Sequence, residues 1–135
     1  MVITNAIRDE GTSLHYLPAG TEVACPSPQV SAALAEELLA TGWSVRSGKT
    51  WTTDAPYRET QAQLQHWTEN GVLAVEMQAA SLFAFGIARG VSVASVAMVS
   101  NAVDHAGEQF DTGTHDDGLQ IIAACARAFK RAVTD

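Results

Sequence analysis

Glu76 and Gln78 are the residues of this chain whose types are hardest to explain as packing. They lie between the apolar run 72–75 and the apolar stretch that begins at Ala79, where composition alone would favour aliphatic side chains. Burying such groups without partners costs roughly 1–3 kcal/mol each, so either backbone at a helix start or a bound ligand must satisfy them. Asn101 and Asp104 follow the most apolar run of the chain, where a ligand-reading group or a simple turn would stand. Arg8 and Arg58 are candidate partners for an anion and equally for structural ion pairs. Gly11-Thr12-Ser13 could offer backbone donors to an anion, or form an ordinary turn. Ser13, His15 and Asp9 do not make a hydrolase triad, because residues two apart on an extended segment point to opposite faces. His105, His115, Asp116 and Asp117 match no compact metal motif and read as a solvated acidic loop at a helix start.

Alternating strands and helices must position these groups. Val2-Ile3 and Ala6-Ile7 make an opening strand, and the polar stretch 8–13 with Pro18-Ala19-Gly20 reads as loop. Ser27 as cap, Pro28 at the first helical position and Gly42 as stop bound a first helix with the stripe Val30, Ala33, Leu34, Leu38 and Ala40. A strand follows within 43–53. A second helix spans 59–69, with Leu64 and Trp67 inward and Asn70-Gly71 ending it. Residues 72–75 form a short buried strand. Residues 76–89 form a third helix that buries Met77, Ala80, Phe83 or Ala84, and Ile87, and Gly90 closes it. The Val- and Ala-rich run 91–99 lacks polar alternation, as expected of a central strand covered on both faces. A last helix over 116–133 repeats Leu119, Ile122, Ala126, Phe129 and Val133 on one side, with Arg127, Lys130 and Arg131 near its negative end. This pattern predicts an α/β fold with a largely parallel sheet. Ligands bind outside the carboxyl ends of such strands, which here means 8–15, 52–59, 76–78 and 100–105.

Composition narrows the function classes. With 8 Lys+Arg against 15 Asp+Glu the net charge is −7, which excludes a nucleic-acid module held by phosphate neutralisation. Its 135 residues fit one domain, 1–135, and 47% hydrophobic against 17% charged residues supply a core. The amino terminus does not read as a secretory signal, and Arg89 and Gly90 interrupt the apolar region 79–99, so no membrane association is expected and the cytoplasm is the expected location. Cys25 and Cys125 lie far apart without paired spacing, so neither a disulfide framework nor a zinc site is expected. No Gly-rich dinucleotide fingerprint is present.

The run GVLAVEMQAASLFAFGIARGV, residues 71–91, resembles the signature region of the nucleoside phosphorylase family, which includes purine nucleoside and uridine phosphorylases. RDEGTSLHYLP (8–18), WTTDAPYRET (51–60) and AMVSNAVDH (97–105) resemble further blocks of that family in the same order. The resemblance covers essentially the whole chain, but only the carboxyl-terminal half or so of the family's domain. It implies a three-layer fold, a mixed and largely parallel sheet flanked by helices, truncated at the amino terminus. The implied reaction is phosphorolysis of the N-glycosidic bond of a purine nucleoside or uridine, giving free base and ribose 1-phosphate. Its oxocarbenium-like transition state calls for contacts on the sugar, a phosphate beneath the anomeric carbon and help for the departing base.

By resemblance, Met77 packs against the ribose, Gln78 holds its hydroxyls with Glu76 in support, and Asn101 faces the base. Pro56 and Tyr57 lie where the family often stacks an aromatic on the base. Gln78 and Asn101 are thus the implied catalytic pair; the family's phosphate ligands lie mainly in its amino-terminal half, and Arg8 and Arg58 are this chain's own candidates for the anion. Two positions depart from the family's pattern. Gln78 stands where a second glutamate is usual and cannot stabilise positive charge as a carboxylate does. Asn101 replaces the aspartate of many purine-specific members and cannot protonate a base. The resemblance implies no metal or organic cofactor, with phosphate as substrate, and a homo-oligomer with sites near subunit boundaries. A separate chain supplying the amino-terminal half is a further expected partner. Two other readings are a non-catalytic protein that keeps the fold for nucleoside binding or assembly, and a nucleoside hydrolase in which water replaces phosphate.

Overall fold

The computed structural model describes residues 1–100 and 113–134. Strand β1 (Val2–Asp9) lies between neighbours on both edges. On one edge it pairs in parallel with β3 (Ser47–Thr53), which pairs in parallel with β4 (Val72–Glu76). On the other edge two short strands run antiparallel, β2 (Glu22–Ala24) against Asn5 to Ile7 and β5 (Ser95–Val96) against Val2 and Ile3. Helices α1 (Pro28–Ala40) and α2 (Gln61–Glu69) connect β2 to β3 and β3 to β4, followed by α3 (Ala79–Arg89) and α4 (His115–Thr134). The result is the expected layered α/β fold with a mixed sheet of mostly parallel strands.

Alternation along the strands divides the core, with the parity of β1 reset by the irregularity between Ile3 and Asn5. One face carries Val2 under α1 and α4, and further along it Ile7, Trp51 and Val72 under α2. The opposite face carries Ile3 and Ala6, which pack with Ala79, Ala80 and Phe83 of α3. Pro28 takes the expected first helical position, but the Ser27 hydroxyl does not cap α1. It accepts a hydrogen bond from the Val93 backbone N–H at 3.0 Å and so ties the start of α1 to the chain before β5. Helix α2 is capped reciprocally by Thr60 and Gln63, a signature the sequence reading passed over. Gly90 ends α3 in the left-handed conformation, φ 64°, as expected of a stop residue.

Three expectations need correction. The run 91–99 is not a central strand covered on both faces. Only Ser95 and Val96 pair, antiparallel at the β1 edge, because β2 already occupies the rest of that edge. Helix α3 begins at Ala79 rather than at residue 76. Glu76 still belongs to β4; Ala80, Phe83 and Ala84 are buried as expected, while Met77 and Ile87 are exposed and Ala79 and Gly86 take their place on the buried face.

Helix α4 buries the opposite side from the one expected. Ala124 and Ala128 are fully buried against Ala33, Leu34 and Leu38, whereas Leu119, Ile122 and Phe129 are 51%, 66% and 44% exposed. The alanine face lets α4 approach α1 closely, and ion pairs from Arg127 to Glu37 and from Arg131 to Glu36 fix that orientation. No helix among the described residues is long and apolar enough to cross a membrane.

Candidate functional site

The parallel strands β1, β3 and β4 end side by side at Asp9, Thr53 and Glu76, and the polar residues gather there. Thr50 and Thr52 lie on the sheet face that carries Glu76, since Thr52 is opposite Glu76 in the ladder and Thr50 is two residues back. Both threonines are completely buried and donate their hydroxyl hydrogens to Glu76 Oε1, Thr50 at 3.2 Å and Thr52 more closely. Glu76 Oε2 accepts from the backbone N–H groups of Gln78 at 2.6 Å and Ala79 at 2.7 Å. Thr52 Oγ1 in turn accepts from the Ala80 N–H at 3.1 Å. The first turn of α3 thus has three of its otherwise orphan donors met by strand side chains, and a carboxylate sits where the helix dipole favours negative charge.

Both carboxylate oxygens of Glu76 are engaged by the protein itself, so its position is explained by helix capping. Gln78 is different. Its backbone is held by Glu76, yet its side chain is exposed and makes no hydrogen bond with the described residues. Met77 beside it is 52% exposed. The clamp therefore presents these two side chains outward at the mouth of the sheet.

The loop after β1 is equally well braced. Glu10 is only 8% exposed; its carboxylate accepts from the Ser13 N–H at 3.0 Å and from the Ser81 hydroxyl at 2.7 Å, joining the loop to α3. Arg8 donates through Nε to Ser13 Oγ at 2.9 Å and through its two terminal nitrogens to the carbonyls of Pro18 and Leu17. Its guanidinium is thus directed into its own loop. Asp54 Oδ2 accepts from the Gly11 N–H at 3.1 Å and links the loops that follow β1 and β3. Pro56 and Tyr57 lie on a short 3-10 turn, Pro56–Arg58, with Tyr57 fully exposed and Arg58 also exposed. Asn101, Asp104 and His105 lie outside the described residues.

Among the described residues, no group of three or more His, Cys, Asp or Glu side chains could hold a metal ion. One hollow of about 440 Å³ lies at the other end of the sheet, near Trp43, Met98 and Ile121, and a second of about 610 Å³ runs between α2 and β4 from Val72 to Val75. The residues missed from sequence are Thr50, Thr52, Glu10 and Ser81. The two threonines had a legible signal, being β-branched and set at i and i+2 on either side of Trp51 in the strand; Glu10 had none, because a carboxylate in a polar loop reads as solvated.

Burial pushes the Glu10 carboxyl up, but the hydrogen bonds from Ser13 and Ser81 outweigh it and hold the group below its ordinary value near 4.5. A depressed folded value means that the stabilisation is present above about pH 4.5 and is lost as pH falls through the folded value. Glu10→Gln, which retains an acceptor for Ser13 and Ser81, should therefore unfold with a shallower loss of stability from about pH 5 downward than the parent chain. Urea midpoints across that range test this, and parallel profiles for the two proteins would refute it.

No curated protein matches the sequence. Among solved structures, the fold is similar to that of an AMP nucleosidase from Bacteroides thetaiotaomicron VPI-5482, with a TM-score of 0.75 at 21% identity, covering 96% of this chain and 54% of that one. The chain thus spans about half the length of that neighbour, and at this identity the likeness speaks to the fold. The family model described as the phosphorylase superfamily matches residues 1–134. With the match running over nearly every residue, and the sheet, crossovers and clamped α3 in place beneath it, the chain belongs to the phosphorylase superfamily.

Proposed function

We propose that the mouth of the sheet binds a nucleoside and that the working protein cleaves its N-glycosidic bond by phosphorolysis, with a purine nucleoside or uridine as substrate. The observation that carries this reading is the Glu76 clamp, which fixes the start of α3 and leaves Met77 and Gln78 side chains exposed at the carboxyl ends of the strands. In this reading Met77 packs on the sugar, the Gln78 amide bonds its hydroxyls, Tyr57 on Pro56 covers the base, and Asn101 approaches the base from the segment after β5. Glu76 acts through the backbone it holds. An amide at position 78 orients hydroxyls without adding negative charge, so the positive charge developing on the sugar must be met elsewhere in the site. Phosphate enters as a substrate, and the reading needs no metal or organic cofactor. The working unit is a homo-oligomer, or this chain together with a second chain that completes the site.

One observation favours water as the acceptor instead. Arg8, a candidate phosphate ligand, is engaged by its own loop, which leaves Arg58 as the exposed arginine of the two. A nucleoside hydrolase is the second reading for that reason.

Incubation of the protein with inosine, adenosine, uridine and AMP, with and without phosphate, should release free base in the phosphate-containing reactions. Release without phosphate supports the hydrolase, and neither release nor calorimetric binding overturns both readings. Binding without turnover identifies a non-catalytic nucleoside binder. Gln78→Ala should weaken nucleoside binding by more than about 1 kcal/mol, the scale of one lost hydrogen bond. Since the side chain is exposed, the fold should be unaffected, and unchanged affinity would remove Gln78 from the site.

A further inference from the structure

Three consecutive residues at the carboxyl end of β3 send their side chains to three different parts of the site. Thr52, completely buried on the face that α3 covers, accepts from the Ala80 backbone N–H at 3.1 Å and donates its hydroxyl hydrogen to Glu76. Thr53, 2% exposed on the opposite face, accepts at 3.1 Å from the N–H of Ala55, where the chain enters the turn that carries Pro56 and Tyr57. Asp54 accepts from the Gly11 N–H at 3.1 Å and holds the loop after β1.

Of the three, Thr52 has the most consequential partners. A hydroxyl has one hydrogen to give, and this one goes to Glu76 while the oxygen takes the Ala80 N–H. Ala80 is the second residue of α3, so its N–H has no acceptor within the helix, and burial keeps water from serving instead. Glu76 holds Gln78 and Ala79 from β4, the strand that runs straight into α3. Thr50, also on β3, reaches only the Glu76 carboxylate. Thr52 bonds the backbone of α3 directly from the neighbouring strand, and Tyr57 lies five residues beyond it on the same chain.

We propose that Thr52 is a positioning residue of the nucleoside site. It sets the start of α3, and with it Met77 and Gln78, against the strand whose continuation carries Pro56 and Tyr57, so that sugar and base are gripped in one geometry. The inference rests on the reading of the mouth of the sheet as a nucleoside site. With its hydroxyl engaged at both ends, Thr52 acts through α3 and not on the substrate.

Calorimetric titration of the full chain with inosine and uridine tests this, using Thr52→Val, which keeps the shape and loses both hydrogen bonds, and Thr52→Ser, which keeps the hydroxyl. Thr52→Val should bind nucleoside about tenfold more weakly than the parent, and Thr52→Ser within about twofold of it. Once Gln78 is misplaced its truncation matters less, so Gln78→Ala should weaken binding by a smaller factor in the Thr52→Val background than in the parent. The Ala80 amide should exchange its hydrogen about tenfold faster or more in Thr52→Val while the amides of the β3 and β4 ladder stay protected, which separates a shifted helix start from a lost fold. Thr52→Cys, with a weaker donor and acceptor, should fall between the two and serves if the valine variant does not fold. A Thr52→Val chain that binds as tightly as the parent overturns the role of Thr52 and leaves the nucleoside reading in place. So do equal losses from Gln78→Ala in both backgrounds, or a serine variant no better than valine. A parent chain that binds neither nucleoside overturns both.

Discussion

Glu76→Ala should destabilise the protein by about 3 kcal/mol, and Glu76→Gln by only about 1 kcal/mol. The carboxylate is the meeting point of β3, β4 and the start of α3, accepting from Thr50, Thr52, Gln78 N–H and Ala79 N–H. Alanine leaves two buried hydroxyls to find new partners and returns two helix-end donors to the orphan state, and each of those losses is worth roughly 1 kcal/mol or more. Glutamine keeps an oxygen for the two backbone N–H groups and turns its amide hydrogens toward the threonines, whose hydroxyls can accept as well as donate. It forfeits the charge at the helix terminus, an effect of about 0.3–1 kcal/mol, and obliges the two threonine hydroxyl hydrogens to turn to other acceptors. Denaturant titration of the three proteins checks the order, and equal losses for alanine and glutamine would mean that the charge rather than the hydrogen-bond geometry does the clamping. Nucleoside affinity should follow the same order, because Gln78 can be presented only from a fixed α3 start.

The fold was legible wherever hydropathy and stop signals agreed. β1, α1, α2 and β4 lie close to their expected positions because short apolar runs or a helical stripe stand between clear breakers such as Pro28, Gly42 and Gly71. Legibility failed where apolar residues had two possible uses. In α4 the bulkiest side chains marked one side, yet the contact with α1 selected the small side, since Ala124 and Ala128 permit a closeness that Ile122 and Phe129 would forbid. In 91–99 the apolar run resembled a central strand, but sheet position depends on which edge is vacant, a long-range property that no local pattern encodes.

The site divides along similar lines. The Glu76 to Gln78 junction stood out as polar residues in apolar surroundings; Glu76 is satisfied there by strand hydroxyls and helix-end N–H groups, whereas the Gln78 side chain is exposed and has no burial to offset. What could not be read was the division of labour within it. Whether Glu76 or Gln78 is free for a ligand depends on Thr50 and Thr52, 26 and 24 residues earlier, and on the register that brings them opposite. Arg8 illustrates the converse, since its engagement follows from the path of the loop through Leu17 and Pro18 rather than from its own neighbours in sequence.

Trp51→Ala should be the most damaging single truncation considered, with a loss of about 4 kcal/mol, the range for large buried aromatics. Trp51 is 1% exposed at the centre of β3, where it packs with Ile7 and Val72 and its ring lies 6.1 Å from that of Trp67. Helix α2 buries no residue completely and rests on this face through Leu64 and Trp67, so removing the indole takes away much of what α2 packs against. The indole also donates from Nε1 to Asp9 Oδ2 at 2.9 Å, connecting β3 to the carboxyl end of β1. Trp51→Phe separates the two roles. It keeps most of the ring contacts and loses the donor, and because Asp9 is exposed and can turn to water the cost of the lost bond should be about 1 kcal/mol. Chemical denaturation should therefore rank the parent chain above Trp51→Phe and both well above Trp51→Ala. Hydrogen exchange should show α2 losing protection in Trp51→Ala before β1 and β3 do, because α2 has the fewest other buried contacts. Uniform loss of protection would mean that α2 and the sheet open as one unit, and a loss below about 1 kcal/mol for alanine would mean that the Trp51 cluster is not the support of α2.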